Sequence, residues 1–245
     1  VGSEMCIRDR IHGYLILEED DEIQNEMADI IIDHATTAIA LEFSKKTALD
    51  EQMKLIGNHF YLDIIAGNIK NEEEAKLRAF NLKWPSPPLR LAIFDVDQFD
   101  TIIKNKDEFY IQELKELILN TIRLHLKALT KNFSIIPRSD SFTCLLPHTC
   151  KKEELSKCIN NIQNKVQANL HIELTVGISV IFDSYTSLHE ANKDAREAIK
   201  ISRLIGSNSR SIFIENNRLE QALLQVSDND ITVSYTHLTL PTTPY

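Results

Sequence analysis

The chain has 245 residues, with 27 Lys and Arg against 36 Asp and Glu and a net charge of −9. A negative chain without a dense cationic block is a poor nucleic-acid binder on its own surface, because phosphate contact rests on clustered cations. No apolar run approaches the roughly 20 residues that span a bilayer, so a membrane role is not expected.

The two ends read differently from the rest. Residues 1–10, Val1-Gly2-Ser3-Glu4-Met5-Cys6-Ile7-Arg8-Asp9-Arg10, and residues 233–245, beginning Val233-Ser234-Tyr235-Thr236-His237-Leu238, resemble the in-frame translation of a transposase sequencing adapter. Segments of that kind are excluded from fold reasoning, and both are expected to pack poorly. About 220 residues remain, enough for one large domain or for one domain and part of another. Setting Cys6 aside leaves Cys144, Cys150 and Cys158, an odd count without metal-ligand spacing. That pattern suggests reduced thiols and a cytoplasmic setting.

Residues 11–20 hold a short apolar strand, Gly13–Leu17, and an acidic turn. A lone strand cannot bury itself, so it reads as the end of a truncated sensor domain. Residues 21–84 are a helical linker. Ile23, Met27, Ile30, Ile31, His34, Ala38 and Leu41 recur at helical spacing, and the pattern resumes with Leu49, Met53, Ile56, Phe60 and Ile64. Two helices or one long bent helix fit this pattern. The stripe resembles a heptad seam, which favours a paired helix and a homodimer; a helix packed on its own domain is the alternative. Asn71 caps a further short helix, with Glu72, Glu73 and Glu74 in its first turn. The breaker cluster Trp84-Pro85-Ser86-Pro87-Pro88 is the best domain boundary.

Residues 85–216 alternate. Strands are expected at Leu89–Val96, Phe133–Pro137, Phe142–Leu146, Leu170–Phe182 and Ser211–Glu215, with helices at Glu108–Leu129, Lys152–Ala168 and Ser187–Ile205. The last helix stops at Gly206. The order is that of an α+β domain, with helices on a mostly antiparallel sheet. Residues 217–232 open a final helix, Arg218–Val226.

Leu91-Ala92-Ile93-Phe94-Asp95-Val96-Asp97-Gln98-Phe99 resembles the first strand of diguanylate cyclases. Arg138-Ser139-Asp140-Ser141-Phe142 stands where those enzymes carry G-G-D-E-F, Thr175-Val176-Gly177-Ile178-Ser179 resembles their T-x-S-x-G strand, and Leu188–Ala198 and Gly206–Phe213 resemble the helix and exit that follow. The fold implied is a degenerate GGDEF-like, nucleotidyl-cyclase-like domain. The arrangement over residues 13–230 is similar to the PucR/CdaR type of transcriptional regulator, which sets such a domain between an N-terminal sensor and a C-terminal helix-turn-helix. That resemblance implies a small-molecule effector at a missing sensor, DNA contact only through a missing C-terminal domain, and a dimer.

Catalysis is not expected. A cyclase needs carboxylates that hold a metal near phosphates and a glycine turn that lets backbone approach the substrate. Asp95 and Asp97 are placed to supply the first; such acids at a strand end are also often solvated, or cap the next helix. At the turn, Arg138 and Ser139 replace both glycines, Asp140 keeps one acid and Ser141 replaces the glutamate. No metal or cofactor is therefore expected. Asp95, Asp97 and Asp140 are retained as a vestigial, possible-ligand cleft. The histidines lack metal-ligand pairing, and His34 and His125 read as satisfied residues of apolar helices. The favoured function is regulatory, with the domain pairing protomers and passing a signal onward. The rivals are a nucleotide- or metabolite-binding module and a divergent cyclase.

Overall fold

The computed structural model describes residues 2–7, 10–16, 25–205 and 211–216. They divide into two compact units, residues 1–59 and 60–245. In the first unit, β1 (Gly2–Ile7) pairs antiparallel with β2 (Arg10–Ile16), from Gly2 opposite Ile16 to Ile7 opposite Arg10. The strand expected at 13–17 thus begins earlier, and its partner is the segment set aside as adapter. Two extended segments paired antiparallel satisfy each other's backbone groups whatever encodes them.

Helix α1 runs unbroken from Asn25 to Ile65, one helix rather than two. Its stretch within the first unit keeps Ile32 buried, while Ile30, Ile31, Leu41, Leu49, Met53 and Ile56 are exposed. His34 is exposed too, and is not the satisfied interior residue expected. Met27 and Ile23 lie outside the residues whose side chains are described.

The second unit begins at Phe60, well ahead of the breaker cluster. The reason is packing. Phe60, Tyr61 and Ile64 from the end of α1, Ala75 and Ala79 from α2 (Glu72–Asn81), and Trp84 share one apolar cluster with Leu89, Leu91 and Ile93. Trp84 lies against Phe60, ring centroids 4.9 Å apart. The prolines lie inside the unit. Asn71 caps α2 as expected, its Oδ1 accepting from the Glu73 N–H at 2.9 Å.

The sheet has five strands in the order β4 (Ser134–Pro137), β5 (Ser141–Pro147), β3 (Leu89–Val96), β6 (Leu174–Phe182), β7 (Ser211–Phe213). All neighbours are antiparallel except β6 and β7. Side chains of a strand alternate between faces, and β3 displays this plainly. Leu89, Leu91 and Ile93 enter the cluster formed with α1, α2 and α6 (Leu188–Ile205). Ala92, Phe94 and Val96 enter the opposite cluster, with α4 (Glu108–Leu129) and α5 (Lys152–Leu170). The result is an α+β domain with helices on both faces of a mostly antiparallel sheet. A five-residue helix, α3 (Phe99–Ile103), follows β3 and was not expected.

Of the apolar residues of α4, Leu114, Ile118, Ile122 and Leu126 are buried; Leu117 and Leu124 are exposed. His125 is satisfied, its Nδ1 lying 2.9 Å from the Thr121 carbonyl oxygen. Cys144, Cys150 and Cys158 are free and buried. Burial pushes the Cys158 thiol up to about 11, as it must for a group whose charged form is poorly solvated. Among the described residues no helix is long and apolar enough to cross a membrane. The final helix expected over 218–226, and residues 233–245, lie outside the described residues.

Gly177 decides how α6 seats. It lies between Val176 and Ile178, both of which face α4 and α5, so its missing side chain points at α6. A β-carbon there would stand 1.9 Å from the Ala195 carbonyl oxygen and 2.8 Å from Ile199 Cγ1. Glycine is what lets this helix lie directly on β6, and α6 carries the residue that completes the site.

Candidate functional site at the end of the central strand

Asp95 lies near the end of β3, paired in register with Ser141 of β5 and Thr175 of β6. It shares the face of Leu91 and Ile93, the face covered by α6. Asp97 stands just beyond the strand, held by its N–H to the Glu173 carbonyl at 3.0 Å. It does not cap α3; Gln98 takes that position with a left-handed backbone and no side-chain cap.

The two carboxylates converge on one group that the sequence reading did not single out. Arg203, in the last turn of α6, donates from Nη2 to Asp95 Oδ2 and, at 2.8 Å, to Asp97 Oδ1. Thr175 Oγ1 donates to Asp97, lying 2.9 Å from Oδ1 and 2.7 Å from Oδ2. The side chains of Asp95 and Asp97 are 15% and 21% exposed, and that of Arg203 is 49% exposed. The only sequence signal for Arg203 was a cation near a helix C-terminus, which the helix dipole alone accounts for.

The electrostatics differ at the two ends of this contact. Burial works to lower the pKa of Arg203, but its hydrogen bonds and charge interactions with Asp97 and Asp95 outweigh it and hold the guanidinium charged. Burial raises the pKa of Asp95; Arg203 opposes this, and the charges of Asp140 and Asp97 add to it. The two convergent bonds establish the ion pair.

Asp140 is close enough for its charge to act on Asp95, yet its side chain is exposed and, among the described residues, bonded within its own turn. Its Oδ1 accepts from Ser139 Oγ at 3.4 Å and Ser141 Oγ at 3.2 Å, and its carbonyl accepts the Val96 N–H at 3.0 Å. The turn closes through the Arg138 N–H to the Ser141 carbonyl at 2.7 Å. The Arg138 guanidinium is directed back over the Tyr61 ring, 5.7 Å from its centroid. Of the three acids named from the sequence, the structure therefore joins Asp95 and Asp97 directly, and Asp140 only through its field.

A hard divalent cation takes several oxygen ligands converging on one point. Here the oxygens that converge already accept from Arg203, and Thr175 engages both oxygens of Asp97. Among the described residues, no group of three or more His, Cys, Asp or Glu side chains could hold a metal ion. These residues do not fit a catalytic metal as they stand. Two grooves of the second unit lie elsewhere. One, of about 510 Å³, is lined by Arg123, Lys127, Lys131, Phe133 and Ile135. The other, of about 460 Å³, runs along the end of β6 and α6 past Asp183, Glu190 and Asp194.

The sequence profile of the GGDEF-like domain family matches residues 66–201, more than half of the chain. The chain belongs to that family. The GGDEF-like match begins soon after the end of α1, which agrees with the packing of α2 and Trp84 into the second unit. A relative in Bacillus subtilis (strain 168), the uncharacterized HTH-type transcriptional regulator YtdP, is 28% identical over 182 residues; the match covers 69% of this chain and 22% of YtdP. The chain thus spans about a fifth of that relative's length. Two solved structures are similar at lower identity. The GGDEF domain of DgcB from Caulobacter crescentus, in complex with c-di-GMP, is 14% identical with a TM-score of 0.42, covering 52% of this chain and 78% of that one. The active GGEEF domain of a diguanylate cyclase from Vibrio cholerae is 15% identical with a TM-score of 0.43, covering 64% and 94%. At that level these two say nothing about the chemistry of this chain.

Proposed function

We propose that this GGDEF-like domain is a non-catalytic module of a PucR/CdaR-type transcriptional regulator, pairing protomers and passing a signal toward a DNA-binding domain encoded beyond this segment. The observation that carries the non-catalytic part is the turn Arg138–Ser141. It holds side chains at both positions where backbone would have to approach a triphosphate, and a serine where a second carboxylate would be needed. The similarity to an HTH-type regulator supports the setting.

Pairing is supported by α1. Ile30, Ile31, Leu41, Leu49, Met53 and Ile56 are exposed at spacings that repeat along a helix, interrupted at Lys45. A long narrow apolar stripe of this kind matches a second copy of the same helix better than it matches water. Two DNA-reading helices must be held at a fixed separation to meet two half-sites, which gives a paired middle segment a purpose.

The test has two arms. Sedimentation of the chain should give a concentration-dependent dimer that Leu49→Glu and Ile56→Glu convert to monomer. Incubation with GTP and Mg²⁺ or Mn²⁺ should give no nucleotide product. A persistent monomer removes the pairing role; turnover abolished by Asp95→Ala makes the domain an enzyme. Reading the uninterrupted gene on both sides would then say whether a helix-turn-helix follows.

A further inference from the structure

The acids at the end of β3 are accompanied by their own cation. We propose that the Arg203 guanidinium is the resident counter-ion of Asp95 and Asp97, closing this site to divalent cations in the native chain, and that its removal opens a Mg²⁺- or Mn²⁺-binding site there. The inference rests on the non-catalytic reading above and explains it at the atomic level.

Three observations carry it. Both carboxylates direct an oxygen at a single nitrogen, Arg203 Nη2, so the point of convergence is filled by a donor with no lone pair to offer a metal. The acids are largely buried while the arginine is half exposed, so the cation lies on the solvent side of the acidic pair. Thr175 orients Asp97 from the sheet, independently of α6, so this carboxylate keeps its direction when the guanidinium is taken away. Two neighbouring carboxylates without compensation repel each other, and binding a cation relieves that repulsion. A surface ion pair formed by chance would have none of this: its carboxylates would be solvated, freely rotating and no better as ligands after the arginine was removed.

The experiment is a Mn²⁺ titration of the whole chain, followed by calorimetry and by the electron paramagnetic resonance signal of free Mn²⁺. The native chain should show no saturable site at millimolar Mn²⁺. Arg203→Met should gain one, with an apparent affinity roughly tenfold or more above any residual native binding, and Asp97→Asn added to it should remove that site again. Arg203→Gln, which keeps a polar side chain of similar length, carries the same expectation should the methionine variant fail to fold. A saturable site in the native chain that Asp95→Asn abolishes overturns the proposal, as does a folded Arg203 variant that gains no site. The same native sample is assayed for GTP turnover. Turnover would sink the non-catalytic reading, whereas native Mn²⁺ binding without turnover would sink only the role given to Arg203.

Discussion

The two ends of β3 carry ion clusters of opposite design. At its start, one acid serves two cations: Arg90 Nη2 lies 3.2 Å from Glu215 Oε1, and Lys152 pairs with Oε2 of the same carboxylate. Arg90 is buried, its guanidinium 5.4 Å from the centroid of the Phe213 ring and its Nη1 3.4 Å from the Ser179 carbonyl oxygen. At the other end, one cation serves two acids, and it is the cation that is half exposed. The first cluster binds the segment after β7 to the sheet, and its buried member has a ring, a carbonyl and a carboxylate around it. The second leaves a largely buried acidic pair with one cation, reaching in from α6. A structural staple buries its most expensive charge among several partners; a site keeps its acids in place and its counter-ion removable.

The comparison breaks most severely at Gly177, because the seat of α6 on β6 delivers Arg203. Gly177→Ala should destabilise the second unit by about 3 kcal/mol or more, since the closest atom the new β-carbon meets is a backbone oxygen that cannot swing aside. Thermal unfolding would measure it, and an unchanged midpoint would mean that α6 is not seated as described. Next in size, Glu215→Ala should cost about 3 kcal/mol, because it strands Arg90 in a buried position. Chemical denaturation should show that loss, and Arg90→Met added to the same chain should recover most of it. Full loss in the double variant would show that the shape of the cluster matters and its charge does not.

The smallest effect is one of pH. Asp95 is raised above its ordinary value of 3.8, with burial the chief cause. A carboxylate whose folded pKa lies above its unfolded one contributes stability that is fully present below the unfolded value and is lost as pH rises through the folded one. On acidification Asp95 should therefore take up its proton before an ordinary carboxylate would, loosening the Arg203 contact while the domain stays folded. Carboxyl NMR titration should place its midpoint above 3.8 in the native chain and higher still in Arg203→Met, which loses the one opposing charge. A native midpoint below 3.8 would mean that Arg203 outweighs burial.

Much of the second unit was legible without coordinates. The bounds expected for β3 and α4, Leu89–Val96 and Glu108–Leu129, are those observed. In both, local pattern and tertiary burial agree, and each is flanked by a residue of clear local meaning: Pro88 before the strand, and Asp107 capping the helix by accepting the Tyr110 N–H at 2.8 Å. The expected start of β6 at Leu170 was early. The apolar run Leu170-His171-Ile172 reads as strand, yet Leu170 closes α5 and His171 adopts a left-handed backbone, φ 58°, with its N–H bonded to the Gln167 carbonyl. Helix α3 escaped notice because five residues are too few to display a period.

The sequence by itself determined the alternation of strands and helices, the two apolar faces of the sheet and the loss of both glycines and one acid at the cyclase-like turn. Each of these is written in side-chain type at short separation, where polypeptide geometry turns a pattern directly into structure. Only the tertiary structure decided that the second unit begins at Phe60, that Leu117 and Leu124 face outward on α4, and that Asp95 and Asp97 meet Arg203. That meeting joins residues 108 and 106 positions apart in the chain. It exists because Gly177 lets α6 lie close on β6, a condition set by the packing of two elements and by no pattern within either.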